Sequence, residues 1–443
     1  MVRAFCPHRF VPQSSFCILH FRLLAFATYI RDIPRMPAPV PLNLTRLGWT
    51  LAASVLLLAT IGVAAIHATE FADASGEQIH VDDAHSALQR LIDVVGLNTL
   101  KQIGFLLAGG GLVVGVIRAG YLRIGRLAYL VYWAVIAMLA SLVIDRYLID
   151  LPFAQEVRNT NRWFGYGAFR VQPSEFMKLA LVLALARYLR FRTSYRTWVG
   201  LIPPMALTLM PMFLILKQPD LGTLLMLPPV LFAMLYSAGA RVRHLGIVLG
   251  IGIAFAPLFY VFGMHEYQKD RIDVLLKQDA ADERWHMSKG YQLRQSKIAL
   301  GTGGLLGEGY REGEFVRYEG LLPEGHNDFI FAIVGNQWGF VGAVVLVLAY
   351  VIIVFIGVEV AMMTNDPFGR LLAVGIVVMI VFQAMLNICM TVGLAPITGM
   401  PLPFVSQGGS SLLTNCIAMG LLVSVAQRRP MLIANPPFEH GDE

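Results

Sequence analysis

Residues 319–342 read EGLLPEGHNDFIFAIVGNQWGFVG, and this stretch joins a polar loop directly to an apolar segment. Glu324, His326 and Asp328 lie within five positions, whereas residues 329–334 are all apolar. An ionisable side chain is costly to keep where a segment enters a membrane, and such a residue is a candidate for function. Asp328 is that candidate if the rest of the chain is a membrane protein.

The composition is typical of a chain that crosses a membrane many times. Of 443 residues, 56% are hydrophobic and only 14% are charged, and the mean hydropathy is +0.62. A soluble chain has about a quarter of its residues charged. The net charge of +6 fits Lys and Arg in cytoplasmic loops, so nucleic-acid binding is not expected.

The apolar runs predict an all-α polytopic membrane protein with about ten transmembrane helices. A spanning helix needs about 20 mainly apolar residues. The domain of residues 46–428 contains a long extracytoplasmic loop, 264–327, between helices 7 and 8. The predicted helices are 47–67, 104–117, 127–144, 174–188, 199–216, 221–238, 245–263, 341–358, 371–391 and 410–425.

The basic residues of the loops predict the orientation. Cytoplasmic loops of membrane proteins carry an excess of Lys and Arg. With ten helices the basic loops all fall on one side of the membrane, which places both termini in the cytoplasm. The residues that decide this are Arg118, Arg123, Arg126, Arg187, Arg190, Arg192, Arg196, Arg241, Arg243, Arg370, Arg428 and Arg429.

The two ends of the chain are predicted to lie outside the membrane domain. Residues 1–45 are basic and rich in proline, and they lack the apolar core and cleavage site of a signal peptide. They are either a disordered cytoplasmic tail or an extension upstream of a working start at Met36. Residues 429–443 are a second cytoplasmic tail. The four cysteines show no CxxC spacing, so neither a disulfide framework nor a metal site is predicted.

A first group of polar residues precedes the predicted fourth helix. Residues 161–180 read NRWFGYGAFRVQPSEFMKLA. Arg162 and Arg170 lie in the outward loop, and Pro173 suits the first turn of a helix. Glu175 and Lys178 are three positions apart and share a helix face. They form either a plain ion pair at the helix start or part of a polar cavity, and these alternatives weigh about equally.

A second group lies in two other outward segments. Lys217 and Asp220 flank Pro219, where the alternative is a solvated turn. Ser406 and Ser410 flank glycines at the start of the tenth helix, and a glycine-rich helix N-terminus can bind an anion. Asn387 either lines a cavity beside this segment or, as we favour, hydrogen-bonds to a neighbouring helix. Residues 291–310 are expected to form an amphipathic segment at the outer interface.

Several basic groups beside one carboxylate suit a lipid-linked diphosphate as substrate. Cations bind diphosphate oxygens, and a carboxylate can accept a proton from an attacking hydroxyl. The sequence requires no cofactor. A divalent cation, Mg or Mn, is compatible with a diphosphate beside carboxylates.

Five motifs in the same order resemble the SEDS family, which comprises the RodA, FtsW and SpoVE proteins. The motifs are NRWFGYGAFRVQPSEFMKLA, KQPDLGT, YQLRQSKIALGTGGLLGEG, LPEGHNDFIFAIVG and PITGMPLPFVSQGGSSLL. The wording PITGMPLPF is closer to RodA, which acts in elongation, than to FtsW, which acts in division. The chain departs from the family pattern at Gln407, where Tyr is usual, at Asn327, where Thr is usual, and at Asn336 and Gln337, where two Glu are frequent.

The resemblance implies a peptidoglycan glycosyltransferase that polymerises lipid II outside the cytoplasmic membrane, for cell shape or division. It also implies a class B penicillin-binding protein as partner, within the elongation or division machinery. The family's essential aspartate corresponds to Asp328, as general base, and its lysine close to that aspartate to Lys178. Substrate-binding candidates are Arg162, Arg170, Glu175, Lys217, His326, Ser406 and Ser410. The alternatives are a lipid II flippase or a scaffold for the penicillin-binding protein.

Overall fold

A computed structural model describes residues 45–70, 95–147, 154–157, 160–166, 169–192, 194–264, 266–278, 289–318 and 321–427. The predicted tails, apart from residue 45, lie outside these ranges. So do Glu319, Arg428, Arg429 and most of the acidic segment after the first helix.

The described chain is predominantly helical, as predicted, and all ten predicted spans coincide with helices. The helices are α1 (Arg46–Glu70), α2 (Leu97–Ala119), α3 (Tyr121–Arg126), α4 (Ala128–Tyr147), α5 (Pro173–Leu189), α6 (Trp198–Lys217), α7 (Leu221–Ala238), α8 (Val242–Phe262), α9 (Glu266–Leu276), α10 (Tyr291–Thr302), α11 (Glu314–Arg317), α12 (Ile330–Met363), α13 (Pro367–Val392) and α14 (Gly409–Gln427).

Nine of the helices in the described ranges are long and apolar enough to cross a membrane: α1, α2, α4, α6, α7, α8, α12, α13 and α14. Helix α5, the predicted fourth span, has only 17 residues. The count of ten spans therefore stays a prediction.

The loop before α5 contains a small sheet that the sequence did not predict. Its strands are β1 (Ala154–Val157), β2 (Thr160–Tyr166) and β3 (Phe169–Val171). They pair antiparallel in the order β1-β2-β3, with Phe164 opposite Val171 and Gly165 opposite Arg170. The sheet carries both predicted loop arginines, and β3 leads within one residue into α5.

The predicted eighth span, residues 341–358, lies inside a longer helix. Helix α12 begins at Ile330 and is interrupted at Gly339, whose φ of 62° and ψ of −158° are not helical. The loop after α10 fills the break: the Phe340 N–H donates to Gly304 O over 2.9 Å, and the Glu308 N–H donates to Asn336 O over 2.9 Å. A Cβ at Gly339 would overlap the main-chain N of Gly307, so the break needs glycine.

Helices α5 and α14 lie in the centre of the bundle. Both are buried along almost their whole length, which removes the one-sided apolar pattern of a surface helix. Helix α2 approaches α14 closely at Gly109, where a Cβ would lie 2.6 Å from Cys416 Sγ of α14. Gly110 and Gly111 face open space instead.

The basic loops meet at one end of the bundle. Arg187 Nη1 donates to Gly125 O over 3.0 Å, and Arg190 lies 3.3 Å from Asp366 Oδ1. These contacts join the links that follow α2, α5 and α12, as the charge pattern predicts. The N-termini of α5 and α14 point to the opposite end, beside the sheet.

Candidate functional site

Asp328 lies in the last turn before α12, at the end of the bundle that carries the sheet. The turn forms around Glu324, whose carbonyl oxygen accepts from the N–H groups of Asn327 and Asp328 at 3.1 Å each. Glu324 has a φ of 59°, a left-handed conformation that costs about 1–3 kcal/mol in a non-glycine residue. The Asp328 side chain is half-buried.

Three consecutive main-chain carbonyls hold this turn in place. The Gln407 N–H donates to His326 O over 3.1 Å, Ser406 Oγ donates to Asn327 O over 2.6 Å, and Asn387 Nδ2 donates to Asp328 O over 2.8 Å. The donors come from α13 and from the segment before α14. The predicted site residue Ser406 therefore contacts the aspartate turn directly.

The segment 395–408 lies beside the turn as non-helical backbone, as its prolines predict. Ser406 Oγ also accepts from the Leu402 N–H over 2.8 Å, and Asn387 Nδ2 also donates to Met400 O over 2.7 Å. Asn387 thus binds the main chain of the site rather than a neighbouring helix, which corrects the sequence-based expectation. Irregular backbone of this kind occurs where it is buried in protein or lines a cavity.

Arg271 of α9 is a site residue that the sequence analysis missed. Its Nη1 donates to Ile397 O over 2.8 Å. A Cβ built on Gly399 would lie 3.2 Å from Arg271 Nη1 and 3.4 Å from Asp328 Oδ2. The guanidinium and the carboxylate therefore face the same small space over Gly399. Arg271 lies in a polar stretch that offers no apolar edge to mark it, so only its place in the fold identifies it.

Lys178 and Glu175 form a buried ion pair. Lys178 Nζ lies 2.7 Å from Glu175 Oε2 and 2.9 Å from Gln383 Oε1, and the two residues are 1% and 4% exposed. Gln383 Nε2 donates to Pro401 O over 2.8 Å. The ion pair that was one of the two alternatives is therefore formed. Gln383 links it to the segment beside Asp328, because Gln383 contacts both Lys178 and Pro401 O.

Arg162 of β2 anchors the turn between α6 and α7. Its Nε donates to Gln218 O over 2.6 Å, and its Nη2 donates to Pro219 O. Asp220, in the same turn, accepts from Ser174 Oγ over 2.8 Å and from the Thr223 N–H over 3.2 Å. A solvated turn is therefore the wrong interpretation of this segment, because Asp220 is buried.

The pKa of Asp220 reflects these contacts. Burial alone would raise the pKa, but the Arg162 charge and the hydrogen bonds from Ser174 and Thr223 bring it below its ordinary value of 3.8. Asp220 is therefore a fixed anion that joins the sheet, α5 and α7, since Ser174 belongs to α5 and Arg162 to β2.

The other predicted cations lie at the surface. Lys217 is exposed, with its Nζ 5.7 Å from the centre of the Phe213 ring. The Arg170 side chain is also exposed. Ser410 Oγ donates to Arg170 O over 3.3 Å and accepts from the Gln172 N–H over 3.1 Å. Ser410, a predicted site residue, thus connects β3 to the start of α14. Nearby, Gln407 Nε2 donates to Asn98 Oδ1 over 3.0 Å.

Within the described ranges, no group of three or more His, Cys, Asp and Glu side chains is placed to hold a metal ion. The site contains the Asp328 carboxylate, which faces the Arg271 guanidinium beside a main-chain segment held by hydrogen bonds. Such an arrangement can accept a proton and stabilise an anion.

Comparison with known proteins identifies a family whose sequence pattern this chain matches. Residues 51–430 match the model of the cell cycle proteins FtsW, RodA and SpoVE. The probable peptidoglycan glycosyltransferase FtsW of Geobacter metallireducens is 37% identical over 61% of this chain and 71% of that protein. The peptidoglycan glycosyltransferase MrdB of Escherichia coli K12 is 34% identical over 62% of this chain and 73% of that protein.

Solved structures share the fold. A chain of a peptidoglycan synthase complex, described as coordinating polymerization and crosslinking, aligns with a TM-score of 0.68 at 25% identity, over 88% of this chain and 100% of that one. The rod shape determining protein RodA of Thermus thermophilus aligns with a TM-score of 0.60 at 25% identity, over 88% of this chain and 98% of that one. Relatives of both the FtsW and the RodA kind match, so the preference for RodA stays a prediction.

Proposed function

This chain belongs to the cell cycle protein family of FtsW, RodA and SpoVE, and from that premise we propose that it is a peptidoglycan glycosyltransferase that polymerises lipid II. The observation that carries the proposal is the Asp328 carboxylate, which faces the Arg271 guanidinium over Gly399. Relatives named peptidoglycan glycosyltransferases support the reaction class.

In the proposed reaction Asp328 is the general base. It takes the proton from the 4-hydroxyl of an acceptor lipid II sugar, and that oxygen attacks the anomeric carbon of the growing chain. The bond from that carbon to the diphosphate breaks, and undecaprenyl diphosphate leaves with the bonding electron pair. A base must lie within hydrogen-bond reach of the proton that it accepts. The fixed turn around Asp328 would hold the carboxylate at that distance from the acceptor hydroxyl.

The cations divide into two roles. Arg271, together with the exposed Arg170 and Lys217, would stabilise the diphosphate charge. Lys178, Glu175 and Arg162 are committed to partners within the protein and would act as positioning residues. His326 and Ser406 fix the main chain of the aspartate turn, and Ser410 fixes the start of α14.

The cellular setting follows from the same premise. We place the protein in the bacterial inner membrane with both termini in the cytoplasm, so that Asp328 faces outward. The similarity to a chain of a peptidoglycan synthase complex supports a class B penicillin-binding protein as partner. The motif PITGMPLPF favours a role in elongation over division. A divalent cation, Mg or Mn, would bind through the diphosphate oxygens.

The test is polymerisation of lipid II by purified wild-type and Asp328→Asn protein, each with its partner, measured as glycan ladders on a gel. The amide keeps the shape of the side chain and removes the base. Asp366→Asn, at the opposite end of the bundle, is the matched control, because Asn caps a helix as well as Asp. Ladders from wild type and control but not from Asp328→Asn support the proposal.

Equal ladders from all three proteins would remove Asp328 from the chemistry. Absence of ladders from all three, with folded protein and bound partner, would favour the flippase or the scaffold. A flippase would move labelled lipid II across vesicles in both Asp328→Asn and wild type.

A further inference from the structure

A cavity of about 530 Å³ opens at the end of the bundle opposite Asp328. It lies among α7, α12 and α13, and its volume is within the range of about 300–1,000 Å³ that ligand sites occupy. Its lining residues are Ser237, Gly357, Val358, Ala361, Met362, Arg370, Val374, Val377 and Val378. None of them belongs to the site described above.

The lining changes from charged to apolar with depth. Arg370 is in the first turn of α13, whereas Val378 is about 12 Å further along the helix at 1.5 Å per residue. The valines of α13 and Ala361 of α12 supply the inner wall. A cation at the mouth and an aliphatic interior match a molecule with one anionic end and one hydrocarbon chain.

Arg370 is free to bind such an anion. Its side chain is exposed, and the guanidinium forms no hydrogen bond or ion pair with the residues that the structure describes. The nearby Asp366 does not neutralise it, because Asp366 accepts from the Gly369 N–H over 3.1 Å and lies 3.3 Å from Arg190. The N-terminus of α13 adds a positive helix dipole at the same place.

We propose that this cavity binds an anionic phospholipid, with its phosphate on Arg370 and one acyl chain along Val374 and Val378. The basic loops assign this end to the cytoplasm, and basic pockets between helices on that side suit anionic head groups. A soluble phosphate could use Arg370 but would leave the apolar interior unfilled. The proposal does not depend on the reaction at Asp328.

The test uses the full chain in nanodiscs that contain phosphatidylglycerol and phosphatidylcholine in equal amounts. Native mass spectrometry after release counts the lipids that stay bound. Wild type is expected to retain phosphatidylglycerol over phosphatidylcholine, and Arg370→Gln to lose this retention several-fold. Val378→Phe, which fills the interior while keeping the charge, is expected to lose it too. Arg243→Gln is the matched control, because Arg243 is exposed and lies at the start of α8, at the same end of the bundle. It is expected to behave as wild type.

Several results would overturn the proposal: equal retention by wild type and Arg370→Gln, an equal loss in Arg243→Gln, or no preference for phosphatidylglycerol. Displacement of the lipid by millimolar inorganic phosphate would identify a phosphate site instead of a lipid site. Thermal unfolding of each variant in detergent shows that it is folded. Glycan ladders measured in parallel keep a failure of this proposal separate from a failure of the polymerase assignment.

Discussion

Replacement of Lys178 by Met tests whether the buried ion pair serves the site or only the fold. The substitution removes the partner of Glu175, whose side chain is 5% exposed, and leaves Gln383 Oε1 without its 2.9 Å donor. An uncompensated buried charge costs about 3–5 kcal/mol. Lys178→Met is therefore expected to lower the free energy of unfolding by that amount.

The double variant Glu175→Gln with Lys178→Met separates the two roles. It leaves no buried charge, and replacing both members of a buried pair is often close to neutral, so most of the stability is expected to return. The polymerisation rate is expected to stay about 10²-fold below that of wild type, because the link from Lys178 through Gln383 to Pro401 O is lost. The measurements are thermal unfolding in detergent and glycan ladders on the same preparations.

Lys277→Met is the matched control for this experiment. Lys277 also pairs with a carboxylate, Asp273 at 2.7 Å, but it is 53% exposed, and such pairs contribute about 0–1 kcal/mol. Loss of stability in the control equal to that in Lys178→Met would refute the burial argument. Full activity in the double variant would show that the ion pair has no role in positioning Asp328.

Three further predictions follow from single contacts. Arg271→Ala is expected to lower the polymerisation rate with little change in unfolding temperature, with Arg271→Lys intermediate; equal rates in a ladder time course would exclude the guanidinium from the site. Gly339→Ala is expected to destabilise the protein by about 1–3 kcal/mol because its φ is 62°, whereas Gly110→Ala, which faces open space, is expected to be neutral or stabilising in thermal unfolding. The folded-state pKa of Asp220 is below 3.8, so its stabilisation is present above that pH and is lost as the pH falls through the folded value; Asp220→Asn is expected to flatten the fall in unfolding temperature below pH 4, and an unchanged fall would contradict the assignment.

The sequence predicts the helices well because their signal is local. Each apolar run carries its own evidence, and the start of α5 at Pro173 is an equally local signal. Gly339 was missed because the cause of the kink, the loop at 303–309, lies about thirty positions away along the chain. The sheet was missed because its strands are short and belong to a loop that packs against distant turns.

The candidate site was predicted only in part, because some of its residues carry a local signal and others depend on contacts between distant parts of the chain. Asp328 stands at an edge between polar and apolar residues, which is visible in the sequence alone. Arg271 has no such mark, and its approach to Asp328 depends on how α9 folds back over Gly399. The partner of Lys178 beyond its own helix is Gln383, more than 200 positions later, which no local pattern indicates.

The way the Asp328 turn is held explains why two departures from the family pattern are compatible with the site. At residue 327 the main-chain carbonyl accepts from Ser406 Oγ, and the Asn327 side chain adds a hydrogen bond of 2.7 Å from its Nδ2 to Glu324 Oε2. At residue 407 the turn uses only the main-chain N–H, which donates to His326 O. Any side chain except proline at 407 supplies these groups, so Asn327 and Gln407 keep both bonds. Ser406 and Asn387 contribute through their side chains. We therefore expect Ser406→Ala and Asn387→Ala to displace Asp328, whereas replacing Gln407 by any residue other than proline does not.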